Sequence, residues 1–193
     1  MRRPPDDPRL RAAFGAVDRA GFLPPDQLRF AREDHPLPIG FGQTSSQPST
    51  VADMLALLDV RPGQHVLDVG AGSGWTTALL GHLVGPAGRV VGVELVPALA
   101  RWGGENVARQ QRPWATVQAA APGVLGVPEE APFDRILVSA EADELPEDLL
   151  DQLADDGILV IPVRGRMLRL VRHLDRVDGT FHGTYSFVPL LRP

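Results

Sequence analysis

The segment Val66-Leu67-Asp68-Val69-Gly70-Ala71-Gly72-Ser73-Gly74-Trp75 restricts this chain more than any other. A short apolar run, predicted as a strand over 65–69, passes into a turn with glycine at every second position, and a helix is predicted over 76–84. Glycines at 70, 72 and 74 let the backbone pass close to a ligand. The amides that open the next helix favour an anion there. Such a turn between strand and helix suits a layered α/β arrangement.

The rest of the chain agrees with that arrangement. Val51, Met54, Leu55 and Leu58 mark one face of a helix starting near Pro48. Strands are predicted over 89–95, 116–120, 135–140 and 158–163, with helices over 97–110 and 147–154. Ile136-Leu137-Val138 and Ile158-Leu159-Val160-Ile161 are unbroken apolar runs, as expected of strands covered on both faces of a parallel sheet. The segments 168–177 and 181–188 read as a hairpin turning at Asp178-Gly179. Before this alternation, residues 1–8 read as a frayed terminus and 9–20 as a short helix. Residues 22–49 read as an irregular but ordered stretch, on the strength of Leu37, Ile39 and Phe41. The expectation is a single domain over 1–193, in which residues 1–49 cover the site and 50–193 form the α/β core.

Glu94 falls 20 residues past Gly74, at the end of a predicted strand, where a carboxylate can accept both hydroxyls of a ribose. The dinucleotide pattern G-x-G-x-x-G fails because Trp75 stands at its third glycine. The spacing G-x-G-x-G, with Asp68 two residues before it, suits S-adenosylmethionine. Asp68 is then placed to hold the cofactor's ammonium, directly or through water.

Composition removes several chemistries. There is no Cys, so disulfides, thiolate zinc sites, thiol nucleophiles and Cys-dependent base methylation are excluded. All 19 basic residues are Arg, which excludes Schiff-base chemistry and a Walker A lysine. A net charge of −5 is the wrong sign for a chain whose main partner is nucleic acid. No long apolar run or apolar signal core is present, and a cytoplasmic protein without membrane attachment is the expectation. The five histidines share no metal-ligand spacing, so no metal site is expected. The run Arg164, Arg166, Arg169, Arg172 and Arg176 reads as a solvated strand edge, and Trp75 as a packing residue close to the turn.

The segment Pro36-Leu37-Pro38-Ile39-Gly40-Phe41-Gly42-Gln43-Thr44-Ser45-Ser46-Gln47-Pro48 resembles the PLPIGxGQTIS-x-P stretch of protein-L-isoaspartate O-methyltransferases. Val17-Asp18-Arg19-Ala20-Gly21-Phe22-Leu23-Pro24, Glu130-Ala131-Pro132-Phe133-Asp134-Arg135-Ile136, Gly157–Val163 and Phe187-Val188-Pro189-Leu190 resemble four further motifs of that family, in the same order. The resemblance covers roughly residues 12–190. It implies a Rossmann-like S-adenosylmethionine-dependent methyltransferase fold, with a mostly parallel sheet and an antiparallel C-terminal hairpin. It further implies methylation of L-isoaspartyl carboxylates in damaged proteins or peptides, with S-adenosyl-L-homocysteine as the second product. By position it puts the cofactor on Thr44, Ser45, Ser46, Asp68, Gly70, Ala71, Gly72, Ser73, Gly74, Glu94, Leu95 and Gly123, and it assigns the active-site hydroxyl to Ser46. The expected state is a monomer acting on a protein or peptide carboxylate.

Three positions depart from the family pattern. Ala121-Pro122-Gly123 stands for Gly-Asp-Gly, Ser139-Ala140-Glu141-Ala142 for Thr-Ala-Ala-Ala, and Ser49 for a His or aromatic. A carboxylate at 141 facing the site would repel a carboxylate substrate. These departures leave two alternatives open: methylation of another carboxylate, and a cofactor-binding domain without catalysis. Ser46 has a second reading as the cap of the helix near Pro48.

Overall fold

A computed structural model describes residues 7–192. Its centre is a sheet of seven strands in the order β5-β4-β3-β6-β7-β8-β9. These are β3 (His65–Val69), β4 (Arg89–Glu94), β5 (Ala115–Ala119), β6 (Phe133–Val138), β7 (Leu153–Val163), β8 (Arg166–His173) and β9 (Arg176–Thr184). The pairs from β5 to β7 are parallel, and β7–β8 and β8–β9 are antiparallel. The α/β reading with an antiparallel ending therefore holds. The strand order reverses between β3 and β6, and a crevice opens at their carboxyl ends.

Alternation along the strands divides the core. Val66, Leu137, Ile158 and Val160 face one apolar cluster, while Leu67, Val69, Ile136, Val138, Leu159 and Ile161 face the other. The first cluster takes the apolar sides of α1 (Pro8–Ala16), α2 (Pro48–Leu58) and α3 (Trp75–Val84). The second is closed by Leu149 of α5 (Glu147–Asp151) and by Leu125, Val127 and Phe133. Helix α4 (Pro97–Ala108) packs beside α3 and β5. Among the described residues, no helix is long and apolar enough to cross a membrane.

The N-terminal stretch is more regular than expected. Asp7 caps α1 by accepting from the Arg9 amide at 2.7 Å, so order begins inside the stretch read as frayed; residues 1–6 of that stretch lie outside the described residues. The helix ends at Ala16 instead of 20, because Asp18 caps a separate 3-10 turn at Arg19–Phe22. A second 3-10 turn covers Pro25–Phe30, and the ribbon β1 (Leu37–Gly40) and β2 (Gln43–Ser45) follows. Leu37 and Ile39 are buried with Leu23, Ala31 and Leu99, which seats the ribbon on the start of α4. Phe41, at the ribbon's tip, is exposed.

Three further expectations need correction. The β8–β9 hairpin turns at Leu174-Asp175, between paired His173 and Arg176, and Asp178-Gly179 lies within β9 opposite Val171 and Leu170. Gly179 is a close-approach position there: a Cβ would stand 2.9 Å from Leu170 Cδ2. The predicted 147–154 helix stops at Asp151. Gln152 is buried and donates to the Leu125 and Asp148 carbonyls while accepting from the Val127 amide. The Arg164–Arg176 run is only partly a solvated edge. Arg169 donates to the Leu57 carbonyl at 2.9 Å, and Arg172 to those of Leu150 and Leu153.

Candidate active site

The turn after β3 is held from the neighbouring strand. Gly70 and Ala71 amides donate to the Val93 carbonyl at 2.9 and 3.0 Å. Glu94, buried at the end of β4, accepts from the Gly72 amide on Oε2 (2.8 Å) and from the Val96 amide on Oε1 (2.9 Å). Each carboxylate oxygen has a second acceptor site, and Glu94 borders a recess with Gly70, Gly72, Leu95 and Leu125. The turn's own close contact is behind it. A Cβ on Gly103 of α4 would stand 2.7 Å from the Gly72 carbonyl oxygen, and one on Gly74 would stand 2.8 Å from the Gly103 carbonyl oxygen. The glycines that weaken α4 as a helix are therefore what lets it lie against the turn.

Asp68 lies beneath the turn, fully buried, not in the recess wall. Its Oδ2 accepts from the Thr76 and Thr77 hydroxyls at 2.8 and 2.7 Å, and Oδ1 has no partner. Burial pushes this carboxyl up to about 6, against the two threonine donors and with the help of the nearby Glu94 charge. A direct contact from Asp68 to a ligand is thus not what the geometry offers. It pins the start of α3 and leaves one acceptor oxygen open to a bridging water.

A second, smaller recess lies between the turn and the ribbon, bordered by Thr44, Ser45, Ser46, Ala71, Ser73 and Trp75. A third opens beyond it, bordered by the hydroxyl-bearing residues Thr44, Ser46, Thr50, Ser139, Thr184 and Ser186. Of the residues expected to touch a cofactor, ten border these recesses or lie directly under them: Thr44, Ser45, Ser46, Asp68, Gly70, Ala71, Gly72, Ser73, Glu94 and Leu95. Gly74 and Gly123 do not. Gly74 packs on α4, and Gly123 sits on an exposed turn with open space around it, while Val124, Leu125 and Gly126 supply that wall. Ser46 does not cap α2. The N-cap is Gln47, and the Ser49 amide is met instead by Asp34 Oδ1 at 2.9 Å. Glu141 contributes its backbone, not its charge: its amide donates to the Val188 carbonyl and its carbonyl accepts from Leu190, and it borders none of the three recesses.

Arg19 is a site residue that spacing alone did not reveal. Its guanidinium is buried and donates to the Glu33, His35, Ser45 and Ser46 carbonyls and to Ser45 Oγ, at 2.9–3.2 Å. It also stands over the Trp75 ring at 5.4 Å, a cation–π distance. Burial lowers its pKa to about 10, so it stays charged at neutral pH. One side chain thereby ties the segment carrying Ser46 to the helix that follows the glycine turn. The signal was present in Val17–Pro24, but the partners are carbonyls, which no residue pattern displays. The chain's C-terminal stretch forms the remaining wall, held by Tyr185, whose amide donates to the Gly165 carbonyl and whose hydroxyl donates to Asp53.

The residues fit S-adenosylmethionine on three observations: the Glu94 carboxylate facing the recess, the unpaired Asp68 Oδ1, and the side-chain-free backbone at Gly70 and Gly72. Among the described residues, no group of three or more His, Asp or Glu is placed to share a metal ion. The family model described as Protein-L-isoaspartate(D-aspartate) O-methyltransferase matches residues 3–192. A protein-L-isoaspartate O-methyltransferase of Aeropyrum pernix is 42% identical over 95% of this chain and 72% of its own length. One of Methanopyrus kandleri is 44% identical over 95% of this chain and 83% of its own. A Plasmodium falciparum protein described as a protein-L-isoaspartate O-methyltransferase, solved in complex with S-adenosyl-L-homocysteine, superposes with a TM-score of 0.84. It is 28% identical, and the match covers 97% of this chain and 92% of that one.

Proposed function

The chain belongs to the protein-L-isoaspartate O-methyltransferase family, and from that premise we propose how its own residues carry the reaction. The activity is transfer of a methyl group from S-adenosylmethionine to the carboxylate of an L-isoaspartyl residue in a protein or peptide. The single observation that carries the site assignment is the shared wall: the recess under Glu94 and the hydroxyl-lined recess both end on Thr44 and Ser139. Glu94 takes the ribose hydroxyls, the turn from Gly70 to Ser73 takes the methionine end, and Asp68 supports that end from below. Gly74 and Gly123 are dropped from the binding set.

S-adenosylmethionine supplies an electrophilic methyl on a cationic sulfur. The acceptor carboxylate, with a reference pKa of about 4, is already ionised at neutral pH. Its oxygen forms the new bond to carbon as the methyl–sulfur bond breaks and the electron pair stays on sulfur. No proton moves, so no general base is required. What the protein must supply is alignment and exclusion of water. Ser46, with its carbonyl fixed by Arg19, orients the acceptor. We further infer one methyltransferase domain over 1–193 that works as a cytoplasmic monomer on protein, not nucleic acid; the net charge of −5 supports the last point.

Incubation with an isoaspartyl peptide should yield base-labile methyl esters, and the matching aspartyl peptide should yield far fewer. Ser46→Ala should lower kcat about 10-fold or more while S-adenosyl-L-homocysteine affinity stays within about twofold. Equal labelling of both peptides would remove the isoaspartyl assignment, and a fully active Ser46→Ala would remove the role of Ser46.

A further inference from the structure

Ser139 follows β6 directly, at the point where the strand order reverses, and its amide donates to the Val69 carbonyl at 2.8 Å. Its Oγ is buried and has no hydrogen-bond partner. Buried hydroxyls are rarely left unpaired, because the lost hydration is not recovered. Among the described residues, Ser139 and Thr44 are the two that border all three recesses. A methyl group passing from a donor beside the glycine turn to an acceptor in the hydroxyl-lined recess therefore crosses within reach of Ser139.

We propose that Ser139 Oγ orients the acceptor by donating to the isoaspartyl carboxylate oxygen that is not methylated. The proposal rests on the carboxyl-methyltransferase reading above and adds a residue to it. An ionised carboxylate only accepts hydrogen bonds, so the unpaired hydroxyl becomes its donor, and the second oxygen is left free to meet the methyl in line. Among the described residues, the side chains bordering the three recesses include no arginine or histidine, so the donors they offer an anion are neutral. That suits this reaction. The carboxylate's charge disappears as the ester forms, and a guanidinium held against it would stabilise the reactant more than the transition state. A hydroxyl fixes direction with less of that penalty. The backbone of the next residues keeps Ser139 in place: Glu141 pairs with Val188 and Leu190, which fixes the strand end against the C-terminal wall.

The test compares wild type with Ser139→Ala and Ser139→Thr, using isoaspartyl-peptide esterification, calorimetric S-adenosyl-L-homocysteine binding and thermal melting. The expected result for Ser139→Ala is a fall in kcat/KM for the peptide of about 10- to 100-fold, the range for a hydrogen bond to a charged group. Cofactor-product affinity should stay within about twofold and the melting temperature should not fall, since no hydrogen bond of the free protein is removed. Ser139→Thr, which keeps the hydroxyl, should restore most of the activity. Unchanged activity in Ser139→Ala overturns the proposal. So does a parallel loss of S-adenosyl-L-homocysteine affinity, which would assign the hydroxyl to the cofactor, or a lower melting temperature, which would make it structural. A wild type that binds S-adenosyl-L-homocysteine yet esterifies no isoaspartyl peptide overturns the underlying reading as well, and that outcome is read without any variant.

Discussion

Two buried carboxylates with opposite surroundings divide the labour at the turn. Glu94 is met by two backbone amides, one on each oxygen, and each oxygen can still accept from a ligand. Asp68 is met by two hydroxyls and no cation, and burial raises its pKa from 3.8 to about 6. A raised carboxyl pKa means that the folded state holds the proton more tightly than the unfolded chain. The contribution of Asp68 to stability is therefore fully present below about pH 4 and is lost as pH rises through about 6. Asp68→Asn cannot ionise, so its stability relative to wild type should rise across that window and then level off. The full rise is on the order of 3 kcal/mol for a shift of about two pKa units. Denaturant titrations of both proteins from pH 4 to 7.5 check this. Parallel pH profiles would show that burial does not perturb Asp68.

Among the elements, α4 is the one whose sequence argues against its structure. Gly103 and Gly104 lower its helix propensity by roughly 1 kcal/mol each relative to Ala. The compensation is contact: α4 meets the turn at a distance that admits no Cβ, and Asn106 donates to the Ser73 carbonyl at 3.0 Å from the same face. Gly103→Ala should therefore destabilise the fold by about 1–3 kcal/mol, as overpacking does, in spite of its better helix propensity. It should also weaken S-adenosyl-L-homocysteine binding, since the atom pushed aside is the Gly72 carbonyl oxygen. Gly15→Ala in α1 is the control, with nothing within 4 Å of the added methyl. It should be neutral or stabilising by up to about 1 kcal/mol. Thermal melts and calorimetry on the two variants separate packing from propensity, and a stabilising Gly103→Ala would refute the close-contact account.

Across the whole molecule, two segments far apart in sequence close the site over the crevice at β3 and β6. The segment from Arg19 to Ser46 covers one side, and residues 184–191 wall the other side while adding no strand to the sheet beyond β9. The bonds that hold that final stretch include Tyr185 to Gly165 and Asp53, Val188 and Leu190 to Glu141, and Arg192 to Asp148. Removing residues 185–193 should leave a cooperatively unfolding α/β protein, because the two apolar clusters keep their buried members. The same deletion should abolish peptide esterification and weaken S-adenosyl-L-homocysteine binding about 10-fold or more by opening both recesses. Circular dichroism and calorimetry on the truncated chain decide it; retained affinity would mean that the wall excludes nothing.

Periodicity and punctuation are local properties, and they were enough for the parallel sheet, the glycine turn, the position of Glu94 and the helix from Pro48 to Leu58. Each depends on neighbours in the chain, so each is written in consecutive residues. The motif segment 36–48 was likewise legible as a unit, although its ribbon was not, since β1 and β2 are only four and three residues long. Other features were decided by partners far away in sequence. The β8–β9 pairing places the Asp178-Gly179 dipeptide within the strand, with Gly179 against Leu170 and Leu168, instead of at the turn. Gln152 ended a helix by bonding to Leu125 and Val127. Asp68 turned toward Thr76 and Thr77, Gly74 toward Gly103, and Glu141 offered its backbone in place of its charge. Side-chain direction and long-range hydrogen bonding exist only once the sheet is assembled, and for that reason the tertiary structure, not the motif, decided which residues border the recesses.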